Sequence, residues 1–212
     1  MSAASRRPPA RWLFRGHIAG LGTAEGTRLV VGHWHRSPFG AFADVMVERA
    51  DGRRILLAPD ARVAGFVAGT YRFDDVVVVP VLVDRAADRW RVAAGPLDLV
   101  FDVGPRTPLG HLLRTVPAPL AESRAWARAI SPLARIVLPG VRTVGTAGQG
   151  RREWYGARDE HRLLGAVTRW DGEDLGPLRP VAPPPRFGFS STPSRPSVVT
   201  VVSVVEAPPI GT

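Results

Sequence analysis

The sequence predicts an α+β protein, mainly antiparallel β, folded as a partly closed barrel-like sheet with a helical insertion around residues 107–138. Three observations carry this. About nine short β-like runs are separated by turn residues. One sector, 107–138, switches to helical spacing of its apolar residues. Residues 177–196 hold seven prolines, too many missing donors for any ladder, and so form an irregular connection.

Residues 1–10 are polar and proline-bearing and read as an N-terminal arm, 11–206 as a single β-rich domain, and 207–212 as a tail. Trp12–Leu21 and Thr27–His35 read as a hairpin around Gly20–Gly26. Ala43–Arg49 and Arg53–Ala58 flank Ala50-Asp51-Gly52, and Asp-Gly is a strong hairpin turn because glycine accepts positive φ. Asp60 is placed to cap a short helix from Ala61 to Gly69, with Val63, Phe66 and Val67 on one face. Asp74–Val83 reads as one long valine-rich strand, buried on both faces or crossing between layers. Arg89–Ala94 and Leu97–Val103 follow. In the insertion, Leu109, Leu112 and Leu113 make a short helix and Leu120–Ile130 a longer one that Pro132 kinks or ends. Strands resume at Val141–Thr146, Arg151–Ala157 and His161–Trp170, and Val198–Glu206 closes the fold. No repeat of fixed period is present.

Composition excludes more chemistry than it suggests. The chain of 212 residues has no lysine, cysteine or asparagine, and arginine supplies all 28 basic side chains. Schiff-base catalysis, covalently held pyridoxal phosphate and a P-loop lysine are therefore excluded. So are a thiolate nucleophile, a disulfide and a zinc–thiolate site. The net charge of +9 invites nucleic acid. However, the arginines are dispersed, and the all-arginine usage points to a GC-rich genome. Nucleic acid is not the expected partner. The start carries no apolar leader and no apolar run approaches the ~20 residues that span a bilayer, so a soluble cytoplasmic protein is the expectation.

Three functional readings stay open. The first is a pocket for a small molecule, anionic or partly apolar. It centres on Arg152, Glu153, Trp154 and Tyr155, where aromatic and charged side chains share one strand. The second is an interaction protein docking through helix 118–138. There Trp126, Ile130, Leu133 and Val137 form one stripe and Arg124, Arg128 and Arg135 fall roughly opposite. The third is a metal-dependent enzyme using His33 and His35, two apart on a strand and so on one face. Further ligands would come from His17, Asp44, Glu48, His111 or His161. Carboxylates for acid–base work are available at Asp44, Glu48, Glu153, Asp159 and Glu160, with no spacing that singles out a pair. Gly20–Gly26 imitates a dinucleotide loop, but a strand follows where a helix is required. No Gly-x-Ser-x-Gly elbow exists. No cofactor is indicated.

Arg152-Glu153-Trp154-Tyr155-Gly156 is similar to the Arg-Glu-Met-Tyr-Gly segment of acetoacetate decarboxylases, and Ser37-Pro38-Phe39-Gly40 resembles the Ser-Pro-x-Gly lead-in common in that superfamily. The resemblance implies a closed antiparallel β structure around an apolar pocket. In the family, an aromatic residue, a proline and the Schiff-base lysine come next. Here Ala157, Arg158 and Asp159 stand there instead. With no lysine anywhere, imine-forming decarboxylation is excluded and no catalytic residue carries over.

Overall fold

The computed structural model describes residues 11–121, 123, 125, 144–146, 151–188 and 192–206. The terminal arm and tail, and most of the sequence-predicted helix 118–138 with Arg124, Arg128 and Arg135, lie outside these residues.

Two hairpins build one half of the sheet. Strand β1 (Arg11–Thr23) pairs with β2 (Arg28–Arg36), and β3 (Phe42–Glu48) pairs with β2 on one side and β4 (Arg54–Ala58) on the other. The β3–β4 turn forms where Asp51-Gly52 predicts it. Gly52 takes φ +89° and the Asp51 carboxylate accepts from the Arg53 amide. Helix α1 (Ala61–Ala68) starts at Asp60, whose side chain accepts from the amides of Arg62 and Val63 at 2.8 Å each. Its buried Val63, Ala64 and Val67 pack on Leu56 and Ala58 of β4.

The valine-rich run is not one strand, nor is it buried on both faces. It divides into β5 (Asp75–Val78) and β6 (Val81–Arg85). Pro80 has no amide to continue a ladder, so the chain changes partner there. β5 runs parallel to β4, and β6 runs antiparallel to β7 (Arg89–Ala94), which pairs with β8 (Leu97–Arg106). Val76 and Val78 remain about half exposed. The run instead links the two ends of one curled sheet.

After β8 the insertion holds α2 (Pro108–Arg114), capped by Thr107, and α3 (Ala118–Ala121). Short β9 (Val144–Thr146) pairs with β10 (Arg152–Trp170), followed by the two-residue strands β11 (Glu173–Asp174) and β12 (Leu178–Arg179). The expected pair 151–157 and 161–170 is thus one strand of 19 residues, with a bulge between Ala157 and Asp159. The bulge absorbs the charged run: Asp159 takes a bidentate ion pair from Arg106, and Glu160 accepts from Thr107. β13 (Ser197–Glu206) lies between β1 and β10 and pairs with both along its length.

The resulting order is β5-β4-β3-β2-β1-β13-β10-β8-β7-β6. Its two outermost strands are neighbours in the chain, joined at Val79-Pro80, so the sheet curls into a half-barrel. Strand alternation then sorts the side chains. Odd-numbered Leu21, Val31, Val45 and Leu57 face Trp90, Leu99 and Phe101 across the barrel interior. Even-numbered Phe14, Trp34, Phe42 and Met46 face the other way, toward α1.

Among the described residues no helix is long and apolar enough to cross a membrane.

Candidate functional site

The even-numbered face of β1, β2 and β3 is incompletely covered. A cleft opens between it, α1, β10, β13 and the segment around Phe187. About 60 Å³ of it is open to the centres of water molecules, which is room for several waters or a compact group. Aromatic side chains dominate the walls. Phe14 sits amid Trp34, Phe42 and Phe66, with ring centroids 5.7, 6.4 and 5.2 Å away.

Two carboxyl groups enter this apolar space. Asp44 lies mid-strand on β3, paired across from Gly32 of β2. It is 3% exposed and accepts one hydrogen bond, from Trp34 Nε1 at 3.0 Å. Among the described residues Trp34 is its sole donor. Burial pushes its pKa up to about 7, against the smaller opposing pull of the Trp34 bond. Gly32 makes the arrangement fit. A Cβ there would lie 2.5 Å from Asp44 Oδ1 and 2.7 Å from Trp34 Nε1, where the hydrogen bond now runs.

Glu153 is equally buried but fully bonded. Tyr71 Oη donates toward its two oxygens at 2.9 and 2.8 Å, and Ser203 Oγ donates to Oε1 at 3.0 Å. The Tyr71 and Tyr155 hydroxyls are 2.5 Å apart, so one proton lies between them. Burial raises Glu153 above the usual carboxylate range, offset by its hydrogen bonds from Tyr155, Tyr71 and Ser203. Tyr71 is driven well above the usual phenol value by burial first and then by Glu153. Strand register sets this up: Tyr155 pairs with Ser203, and Ser203 with Phe14, in one row across three strands.

A third carboxylate holds the cover in place. Glu48 Oε1 is 3.0 Å from Arg28 Nη2 and 2.8 Å from Arg186 Nε, and Oε2 accepts from the Arg186 amide at 2.6 Å. The next residue, Phe187, lines the cleft and packs on Phe73.

Of the four residues expected to form the pocket, Glu153 and Tyr155 line this cleft and Arg152 and Trp154 do not. Alternation along β10 separates them. Arg152 is exposed, and Trp154 is buried against Leu13, Val202 and Val204 with the Arg11 guanidinium over its ring. His33 and His35 lie on the odd-numbered face, opposite to Asp44 and Glu48. His17 joins them from β1, with ring centroids 6.3 Å from each. Trp90 sits edge-on to His17 and His33, and Arg85 lies over Trp90. Burial and then Arg85 lower His17 to about 4 and lower His33 as well. His161 is occupied with the Gly104 carbonyl. Among the described residues no group of three or more histidine, aspartate or glutamate side chains is arranged to hold a metal ion.

Sequence reasoning did not single out Trp34, Tyr71, Ser203 or Gly32. One signal was available: Asp44 interrupts the apolar run Phe42–Val47, and the β2–β3 register sets it beside Trp34.

No family model matches the chain, and no curated protein does. Among solved structures the chain is similar to acetoacetate decarboxylase from Legionella pneumophila, at 9% identity, over 98% of this chain and 89% of that one, with a TM-score of 0.43. It is also similar to a second acetoacetate decarboxylase structure at 8% identity, over 95% and 87% of the two chains, with a TM-score of 0.40.

Proposed function

We propose that the protein binds a small, mainly apolar molecule in the cleft, with the polar group of that molecule at Asp44. One observation carries the reading: Asp44 is a buried carboxyl in apolar surroundings that has a single hydrogen-bond donor. A buried carboxyl has about four acceptor sites when ionised, and leaving them empty in an apolar environment is costly. A ligand with a polar end completes the set. The aromatic walls supply the apolar contact, and Glu153 with its hydroxyl partners rigidifies the far side without competing for the ligand.

Benzyl alcohol is a suitable first probe, having one ring and one hydroxyl. Titrated into the ¹⁵N-labelled protein, it is expected to move the indole Nε1–H resonance of Trp34, which reports on Asp44. Val30, nearly buried on the cleft wall, offers the control. Val30→Phe fills the space at a stability cost of about 1–3 kcal/mol and is expected to abolish the shift while the far-UV circular dichroism spectrum persists. A folded Val30→Phe protein that responds like the parent would overturn the reading.

A further inference from the structure

We propose that the molecule taken by the cleft is a small organic cation, a protonated or quaternary amine on an apolar body, with its charge beside Asp44 and its carbon framework against Phe14, Trp34, Phe42 and Phe66. The inference rests on the cleft being a ligand site and adds the charge of what it takes.

The argument begins with the charges that face the cavity. Among the described residues its walls carry two carboxyls, Asp44 and Glu153, and two phenols, Tyr71 and Tyr155, and no arginine or histidine. This is notable in a chain with nine more basic than acidic side chains. Two described guanidiniums beside the cleft, those of Arg62 and Arg151, are engaged by other groups. Arg62 stacks over Phe39 and approaches the Phe39 carbonyl. Arg151 lies against Trp12 and Phe66 and donates to the Phe66 carbonyl and Thr70 Oγ1. Among the described residues an anionic ligand would therefore meet two carboxyls and no lining cation to neutralise it.

Of the two carboxyls, Asp44 has capacity left. Glu153 already receives Tyr71 and Ser203. Asp44 receives Trp34 alone. A neutral ligand would satisfy one hydrogen bond there. A cation would supply the counter-charge that burial denies the carboxylate, at an effective dielectric well below that of water. The walls favour the same sign: the faces of indole and benzene rings are the negative part of their quadrupole, and they attract ammonium groups most strongly where water is excluded. Carboxylate and aromatic rings on one wall thus select the same ligand charge by two independent interactions.

The test uses three one-ring probes of nearly equal size: benzylammonium, benzyl alcohol and benzoate. Each is titrated at about pH 8 into the intact chain and into Asp44→Asn, with Trp34 Nε1–H as the reporter. Asparagine keeps the acceptor for Trp34 and removes the charge. The wild-type protein is expected to bind benzylammonium at least about tenfold more tightly than benzyl alcohol, with benzoate weakest. In Asp44→Asn the advantage of the cation over the alcohol is expected to collapse while the alcohol still binds. Benzyl alcohol or benzoate binding the wild type as tightly as benzylammonium would overturn the inference and leave the cleft reading standing. Retention of the full cation preference by Asp44→Asn would overturn it too. Failure of all three probes to bind would overturn the cleft reading, and this inference with it.

Discussion

The Asp44→Asn protein is expected to be more stable than the wild type at pH 8 and about equally stable at pH 4. Folded Asp44 titrates at about 7, against an ordinary value of 3.8. Between those values the folded chain keeps a proton that the unfolded chain has released, so this group costs stability progressively as pH rises from about 4 to 7. Below the ordinary value both states are protonated and nothing is lost. Each pKa unit corresponds to roughly 1.4 kcal/mol, so the full gap is on the order of 4 kcal/mol. His17 acts in the opposite sense over the same interval. Its folded value of about 4 lies below the ordinary 6.5, so acidification favours the unfolded chain. The wild-type profile alone therefore blends two effects, and the variant must be compared with the parent at each pH. Urea midpoints at the two pH values are the measurement. A variant less stable than wild type at pH 8 would show that Asp44 is stabilised as an anion in the fold.

Glu48→Ala is expected to lose about 3–5 kcal/mol, because it leaves the Arg28 guanidinium buried without its counter-ion. Glu48 is fully buried and Arg28 is 8% exposed, so neither charge is relieved by water. Arg186 contributes differently. Its side chain is 69% exposed, so its ion pair is worth little, while its backbone amide is anchored by the same carboxylate. Arg186→Ala is accordingly expected to cost under about 1 kcal/mol. In Glu48→Ala the segment bearing Phe187 is also released, and benzyl alcohol affinity should fall with stability. Equal losses for the two substitutions in denaturant melts would contradict this division.

The parts of the fold set by short-range chemistry were legible in the sequence. Asp51-Gly52 marks its hairpin and Asp60 its helix cap because one or two residues decide each. The valine run was harder. Local pattern shows that residues 74–83 are extended, but only the partners of β5 and β6, at opposite ends of the sheet, show that the chain changes neighbour at Pro80. The sequence reading breaks the strand between Ala157 and His161, yet Arg106 of β8 and the helix-capping Thr107 absorb the charge of Asp159 and Glu160, and the strand runs through. The cleft was legible in half. Glu153 and Tyr155 stand out as a charged and an aromatic residue in one strand. Period-two alternation already implies that Arg152 and Trp154 face away from them. Tyr71 and Ser203 reach Glu153 from 82 and 50 residues away along the chain, a proximity that no local pattern encodes.

The most direct test of the account is a pH titration of the Trp34 Nε1–H resonance, run on the free protein and again with saturating benzylammonium. Asp44 accepts this hydrogen bond, so its ionisation should be visible in the donor. The expected midpoint is about 7 in the free protein, moving to lower pH with the cation because the bound charge favours the carboxylate. A midpoint in the ordinary carboxylate range in the free protein, or one that benzylammonium leaves in place or raises, would contradict the claim that a buried, uncompensated Asp44 is where this cleft meets its ligand.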